Sequence, residues 1–178
     1  QEAAQLAKNA RQEELREGSE RTATDIERDS VAPEAKKAAL VQHFMQGNWD
    51  PEAADRYAAS IVARDDWYAF DQRKLYGHQM FGVDRIKGVL VIALNINHEL
   101  FNFLDVLEDE LEDLDDPLAR RAAVALRTLL IAWARFQDET AENRHRAELE
   151  DIASQWGRHA RNFLSEMTRD MTVGDTDD

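Results

Sequence analysis

The fold prediction starts from residues 86–114, which read IKGVLVIALNINHELFNFLDVLEDELEDL. Apolar residues, with one asparagine among them, recur along this stretch at alternating steps of four and three. That spacing keeps one stripe of a helix against a partner helix, with the knobs-into-holes packing of a coiled coil. This leucine seam consists of Ile86, Leu90, Ala93, Asn97, Leu100, Leu104, Leu107, Leu111 and Leu114. The pattern predicts a long helix that carries an interaction surface.

Asn97 is the one polar member of the leucine seam. A single Asn at such a position fixes the register and the number of paired helices, at a cost in stability. One interpretation is a symmetric dimer in which Asn97 meets its own copy. The other is an Asn that bonds a neighbouring group inside one subunit, and the sequence leaves both open.

The composition favours helices throughout. The 178 residues are 43% hydrophobic and 33% charged, with only 7 Gly and 3 Pro to interrupt regular structure. The only short β-branched cluster, at 89–92, lies inside the seam. We therefore predict a single all-α domain, an antiparallel bundle of about five helices. The predicted helical stretches are 2–29, 33–46, 51–81, 84–114 and 117–168, the last with a kink near 137–143.

Proline positions and apolar content divide the chain into segments. Asp50-Pro51 and Asp116-Pro117 each place a carboxylate before a proline, which is typical of a helix start. Residues 1–30 carry few apolar side chains, so we predict a helix that projects from the body or packs shallowly on it. Residues 33–168 form the predicted bundle domain, and residues 169–178 a disordered acidic tail.

The net charge of −14 limits the classes of partner. A chain with a pI of about 4.7 and no basic patch is repelled by nucleic acid and by anionic membranes, so we expect no direct nucleic-acid binding. Eight acidic residues crowd Asp105–Asp116. They form either a solvated face or a docking surface for a basic partner.

The chain contains no cysteine, which excludes thiol catalysis and cysteine-ligated metal. No run reaches the roughly 18 apolar residues of a membrane-spanning helix. The sequence begins at Gln1 rather than Met, so an upstream signal peptide or membrane anchor stays open. We expect a location on the cytoplasmic side of a membrane or free in the cytoplasm, with the periplasm as a further alternative.

Two sets of residues are candidates for a site. Asn95, His98 and Asn102 are spaced as one stripe of a helix and, with Tyr68, would line a ligand pocket between helices. The alternative is a solvated stripe, since the leucine seam already supplies an inward face. Glu142 and His145 form the Glu-x-x-His spacing of a carboxylate-bridged metal site.

The metal prediction competes with a plainer one. A di-metal bundle needs two Glu-x-x-His pairs, and the chain has one, so His145 can equally lie half-buried beside an apolar stripe of the last helix. No nucleophile elbow, phosphate-binding glycine loop, zinc signature or dinucleotide motif is present. We therefore predict no catalytic residue and no cofactor.

Three passages resemble a family of uncharacterised bacterial membrane-anchored helical proteins, known as a domain of unknown function. They are Arg21–Asp25 (RTATD), Leu94–Leu100 (LNINHEL) and Leu149–Trp156 (LEDIASQW). The resemblance implies a transmembrane helix upstream of Gln1 and a helical domain beside the membrane. It implies no activity and no catalytic residue.

The sequence favours a non-enzymatic helical interaction or assembly module. Its expected partner is a second copy of itself or another protein, with membrane contact only through a segment upstream of Gln1. Two alternatives stay open: a ligand-sensing bundle that uses the Asn95 stripe, and a metal-dependent bundle enzyme that uses Glu142 and His145.

Overall fold

The computed structural model of the protein describes residues 2–104, 117–140 and 143–174. Within them, three strands follow the fourth helix and precede the fifth. The helices are α1 (Glu2–Arg16), α2 (Ala23–Ser30), α3 (Pro33–Gln46), α4 (Pro51–Arg64), α5 (Glu99–Leu104), α6 (Pro117–Glu139) and α7 (Asn143–Gly174). The strands are β1 (Tyr68–Arg73), β2 (Phe81–Ile86) and β3 (Val89–Asn95).

The prediction of an all-α antiparallel bundle with a coiled coil is wrong, because these three strands form a sheet in the order β1-β3-β2. β3 is central, parallel to β1 and antiparallel to β2. A two-residue turn, Lys87-Gly88, joins β2 to β3 with φ values of 48° and 80°. Two successive left-handed residues are typical of a type I′ hairpin. A helix cannot continue through such a turn.

The run Val89–Leu94 forms most of β3, which is the central strand of the sheet. Every residue of β3 is buried, on both faces. Central strands covered on both sides read as continuous apolar runs, and periodicity alone does not separate such a run from a buried helix. The decisive signals are Gly88 before the run and the β-branched residues within it.

Helices cover both faces of the sheet, so the fold has three layers. Successive strand residues point to opposite faces, and each set packs into its own core. On one face, α3 and α4 pack on the strands through Leu40, Phe44, Ala54, Ala58 and Ile61. On the other face, α1 and α6 pack on the strands through Ala3, Ala4, Leu130, Ile131 and Ala134.

The leucine seam is not a continuous stripe in this fold. Ile86 ends β2, Leu90 and Ala93 lie in β3, Asn97 lies in an exposed loop, Leu100 lies near the start of α5 and Leu104 ends it. Leu107, Leu111 and Leu114 lie outside the described residues, as does the acidic run Asp105–Asp116. Because Asn97 is not on a helix, it cannot set the register of a helix pair.

The N-terminal stretch predicted as one helix, 2–29, is two. α1 packs along α6, while α2 begins at a capping box in which Thr22 and Asp25 bond each other's backbone N–H groups. Asp25 is buried and accepts hydrogen bonds from Arg11 and Arg28. Burial raises the pKa of Asp25, but these two arginines and the Thr22 N–H outweigh burial and hold it well below its usual range.

Three predicted helix starts, at residues 33, 51 and 117, are confirmed, and the predicted end of the third stretch is wrong. α3 spans 33–46 as predicted, and the Asp50 carboxylate caps α4 by accepting from the Ala53 N–H. The predicted helix 51–81 ends at Arg64, because Asp65 adopts a left-handed conformation that stops α4 before β1. The predicted kink near 137–143 is a break between α6 and α7, and α7 continues to Gly174.

No helix in the described ranges combines the length and the apolar character that crossing a membrane requires.

Candidate functional site

The free edge of β2 is the first feature of the site, and we call it the open edge. β2 bonds β3 on one side only, because β3 is central and β2 is the outer strand. The Asn95 N–H donates to the Met80 carbonyl, which makes residues 80 and 95 a hydrogen-bonded pair. Such pairs alternate along an antiparallel ladder, so Gly82, Asp84 and Ile86 also bond β3.

The residues between them point their backbone groups away from β3. These are Phe81, Val83 and Arg85, which together carry three N–H donors and three C=O acceptors. Among the described residues, no hydrogen bond uses any of these six groups. An unpaired row of this kind is a template for another strand.

A cavity of about 220 Å³ lies against the open edge. Five consecutive residues of β2, 81–85, form one wall. Trp133 and Gln137 of α6 and Ala153 of α7 form the opposite wall, and Leu75 and Gln79 of the β1–β2 loop complete it. The cavity is therefore a short groove beside the outward backbone groups of β2, and its lining also includes the charged side chains of Arg73, Asp84, Arg85, Asp138 and Glu150.

A buried ion pair fixes one end of the groove. The Arg85 guanidinium donates to the carbonyls of Gln137 and Asp138 and lies 2.9 Å from the Asp138 carboxylate. Asp138 is buried and also accepts from the hydroxyls of Thr22 and Thr24. This network holds the end of α6 at a fixed distance from β2.

On the other outer strand, β1, both backbone groups of the central outward residue are bonded, and we call this side the closed edge. The Tyr57 hydroxyl of α4 accepts from the Phe70 N–H at 3.3 Å and donates to the Phe70 carbonyl at 3.1 Å. The Gln72 N–H donates to the Asp71 carboxylate at 2.7 Å. Burial raises the pKa of Tyr57, so its hydroxyl keeps the proton that it donates.

A buried polar cluster lies next to the groove and shares Arg73 and Asp84 with it. His43 Nε2 is 3.7 Å from Asp71 Oδ2 and 3.9 Å from Asp84 Oδ2, and Arg73 pairs with Asp84. The side chains of His43 and Asp71 are 7% and 0% exposed. His43 Nε2, Asp71 Oδ2 and Arg73 Nε make no hydrogen bond in the described structure. The cluster is thus closely packed but incompletely bonded.

Burial dominates the titration of this cluster. It lowers the pKa of His43, and it raises the pKa of Asp71 even though Trp49 and the Gln72 N–H donate to that carboxylate. Both shifts favour the neutral form of the group. Because neither side chain reaches the groove, the pair supports the sheet and is not placed to touch a ligand there.

The residues predicted to line a ligand pocket lie at three different places. Asn95 ends β3 and is buried, where its amide bonds the Leu75 N–H, the Asn97 N–H and the Gln79 carbonyl. Tyr68 is buried in the core on the α6 face of β1. Asn102 lies in α5, and its side chain lies outside the described part. Asn95 thus helps to shape the loop beside the groove.

His98 joins α5 to α7. Its Nδ1 accepts from the Leu100 N–H at 3.0 Å, so its Nε2 carries the proton that is donated to the Gly157 carbonyl at 2.8 Å. Burial lowers the pKa of His98, which favours this neutral form. Both ring nitrogens of His98 therefore bond backbone groups of the protein.

The predicted metal pair is only half described. His145 is exposed on α7, and Glu142 lies outside the described residues. Among the described residues, no three His, Asp or Glu side chains are placed to hold a metal ion.

Sequence reasoning missed the open edge and its supports, namely Val83, Arg85, Asp138 and Tyr57. One signal was available. A polar residue and Gly88 stand between two β-branched residues, Ile86 and Val89, and this is the pattern of a two-residue hairpin turn. A hairpin there places residues 81–86 in a strand. The Asp138 network joins residues more than a hundred positions apart, and no local pattern marks it.

The chain matches no protein-family model, no curated protein and no solved structure.

Proposed function

We propose that the protein is an interaction module that binds an extended peptide segment along the open edge of β2. The observation that carries the proposal is the row of six backbone groups on Phe81, Val83 and Arg85 that have no partner in the described part of the chain, beside a groove. The non-enzymatic interaction module predicted from sequence thereby acquires a specific surface.

Strand addition suits this edge because its groups are spaced for it. In an antiparallel pair, an outward residue exchanges two hydrogen bonds with one residue of the added strand; Val83 and Arg85 are half-buried and available for this, whereas Phe81 is buried. Main-chain hydrogen bonds supply affinity in this mode of recognition, and pockets for alternate side chains supply specificity. The closed edge of β1 offers a shorter, interrupted row, since the Tyr57 hydroxyl already bonds both backbone groups of Phe70 at its centre.

The groove favours a peptide over an enclosed small ligand. Its volume of about 220 Å³ is below the roughly 300–1,000 Å³ of sites that enclose a drug-sized molecule. It has room for one apolar side chain between Trp133 and Val83, while the rest of the segment crosses the surface. The net charge of −14 favours basic residues on either side of that apolar anchor.

Val83 provides the sharpest test. Its N–H points away from β3, so Val83→Pro removes one donor of the open edge and no bond of the β2–β3 ladder. Val83→Ala is the matched control, since it shortens the side chain and keeps the N–H. The probe is a synthetic peptide selected on the wild-type protein from a displayed library of random nine-residue peptides, and titration calorimetry measures its affinity.

We expect Val83→Pro to weaken the peptide about tenfold and Val83→Ala to weaken it by less than about threefold. Both variants should unfold cooperatively, which circular dichroism checks. Equal binding by Val83→Pro and wild type, or a selection that yields no peptide, would overturn the proposal. Binding of a free amino acid or nucleobase in calorimetry, with no peptide selected, would instead support the ligand-sensing alternative.

The location of the module is a separate proposal. We propose the cytoplasmic face of a membrane or the cytoplasm. Fractionation of cells that express the whole gene tests it, and recovery from the periplasm would contradict it.

A further inference from the structure

α6 carries an apolar stripe that the rest of the described chain leaves exposed. Its large members, Leu118, Leu129 and Phe136, are 73%, 67% and 49% exposed. The three alanines between them, Ala122, Ala125 and Ala132, are exposed as well. We call these six residues the α6 stripe. They follow one another at steps of four, three, four, three and four, which keeps them on one side of the helix.

The α6 stripe is a second apolar face on a helix that already has one. Ala123, Leu130, Ile131 and Ala134 of α6 are buried in the protein core. A surface helix of a monomer presents polar residues on the side that faces water. A contiguous exposed apolar surface in a folded protein marks an interaction site.

The steps between successive residues of the α6 stripe are the same from either end of the helix. Because of this, an antiparallel second copy of α6 matches it about a two-fold axis at residue 127. Leu118 then faces Phe136 of the other copy, Ala122 faces Ala132, and Ala125 faces Leu129. We propose that two copies of this chain associate through antiparallel packing of their α6 stripes. Such an isologous contact closes on itself and forms a dimer.

Charge at the ends of α6 supports the antiparallel direction. Arg120 and Arg121 lie near its N-terminus and Glu139 ends it, the reverse of what the helix dipole favours; within one chain, Arg120 pairs with Glu2 and Glu139 pairs with Arg135. In an antiparallel pair, each basic end lies beside the acidic, negative end of the other helix. A parallel pair would place the four arginines together.

The size of the contact sets the expected affinity. A helix of 23 residues is about 34 Å long, and two such helices bury less than the roughly 800 Å² per partner of a standard interface. Leu6 of α1 adds apolar surface, because it lines a groove beside Ala125 and Leu129. We therefore expect a dissociation constant on the order of 10 μM.

Sedimentation velocity from about 1 to 200 μM, a range that brackets that affinity, tests the dimer. Leu129→Glu introduces a carboxylate at the centre of the contact, and we expect it to raise the dissociation constant more than about tenfold. Met45→Glu is the matched control, since Met45 is comparably exposed on α3, on the opposite face of the sheet. It should leave the dimer unchanged.

A wild-type protein that stays monomeric throughout this range would overturn the dimer, and so would a dimer broken by Met45→Glu but not by Leu129→Glu. Binding of the monomer to phosphatidylcholine vesicles, lost in Leu129→Glu, would assign the stripe to a membrane surface instead. Val83→Pro should not affect dimerisation, which separates this proposal from the peptide-binding one.

Cysteine cross-linking tests the direction, because the chain has no cysteine of its own. Antiparallel packing predicts that Ala125→Cys and Leu129→Cys cross-link to each other when the two variants are mixed and oxidised. Each variant alone should cross-link less. Efficient cross-linking of Ala125→Cys with itself would contradict the antiparallel register.

Discussion

The two outer strands of this sheet differ in how their free edges are treated. β1 is closed at its centre, because the Tyr57 hydroxyl satisfies both backbone groups of Phe70 and Asp71 accepts from the Gln72 N–H. β2 is open, because the outward groups of Phe81, Val83 and Arg85 have no partner among the described residues. Proteins protect free edges against accidental pairing. An edge left open beside a groove, in a sheet whose other edge is closed, therefore points to a binding role.

The comparison also shows what maintains an open edge. Side chains from α6 and α7 form a wall opposite β2, and none of those that the structure describes bonds its outward backbone groups. Arg85 and Asp138 fix that wall at one end, and the close packing of Gly157 on the β1–β2 loop fixes it near the other. The closed edge depends on the Tyr57 hydroxyl and the Asp71 carboxylate. Mutations should therefore affect the two edges independently.

The largest expected effect comes from breaking the support of the open edge with Asp138→Ala. This change leaves Arg85 and Arg135 without their buried carboxylate, and removing one member of such a network costs about 3 kcal/mol or more. Urea denaturation measures the loss. Glu139→Ala is the control. Because Glu139 is exposed, this substitution should change the free energy of unfolding by less than about 0.5 kcal/mol. Equal effects of the two variants would show that the Asp138 network does not stabilise the fold.

Gly157→Ala should be the next most damaging change. Helix propensity alone predicts a gain of about 1 kcal/mol for this substitution inside α7. However, the new Cβ would lie 2.0 Å from the His78 carbonyl oxygen, so we expect a loss of about 2 kcal/mol and a disturbed groove. Thermal unfolding distinguishes the two signs. A stabilised Gly157→Ala protein would show that α7 and the loop are not packed as described.

Tyr57→Phe opens the closed edge. It leaves the N–H and C=O of Phe70 without their partner, at a cost of about 1–2 kcal/mol in urea denaturation. Tyr76→Phe is the matched control, because Tyr76 is fully exposed and its change should be neutral. If both variants match wild type, the hydroxyl does not close the edge.

The smallest expected effect concerns the pH dependence of stability that arises from the buried pair of His43 and Asp71. Because the pKa of His43 is lowered in the folded state, its contribution to stability is present above pH 6.5 and is lost as the pH falls through the folded value. The raised pKa of Asp71 acts in the opposite sense, so a variant is needed to separate them. Between pH 7 and 5, the unfolding free energy of His43→Gln should fall less than that of wild type, by up to about 1 kcal/mol. Identical pH slopes would contradict a buried neutral His43.

Part of the fold could be predicted from sequence. Local signals sufficed for α3 and for the Asp50 cap, because a proline start and a capping carboxylate act within one turn. They failed for residues 84–104, where leucine spacing at steps of four and three coincided by chance with a buried strand and a short helix. Two left-handed residues, Lys87 and Gly88, outweighed that spacing.

The candidate site was beyond local reasoning. The predicted ligand residues Asn95 and His98 are buried and bond backbone groups, because each joins segments that meet only in the folded chain. The open edge depends on which strand is central, and strand order is a long-range property. Exposure of the α6 stripe likewise follows from the way α6 packs on the sheet with its other face.

Amide hydrogen exchange of the nitrogen-15-labelled protein, followed residue by residue by NMR, tests the difference between the two edges most directly. The Val83 N–H faces the groove, whereas the Phe70 N–H donates a hydrogen bond to the Tyr57 hydroxyl. We therefore expect the Val83 N–H to exchange far faster than the Phe70 N–H. Addition of the selected peptide should slow Val83 and leave Phe70 unchanged. Equal protection of Val83 and Phe70 in the free protein would contradict an open edge on β2.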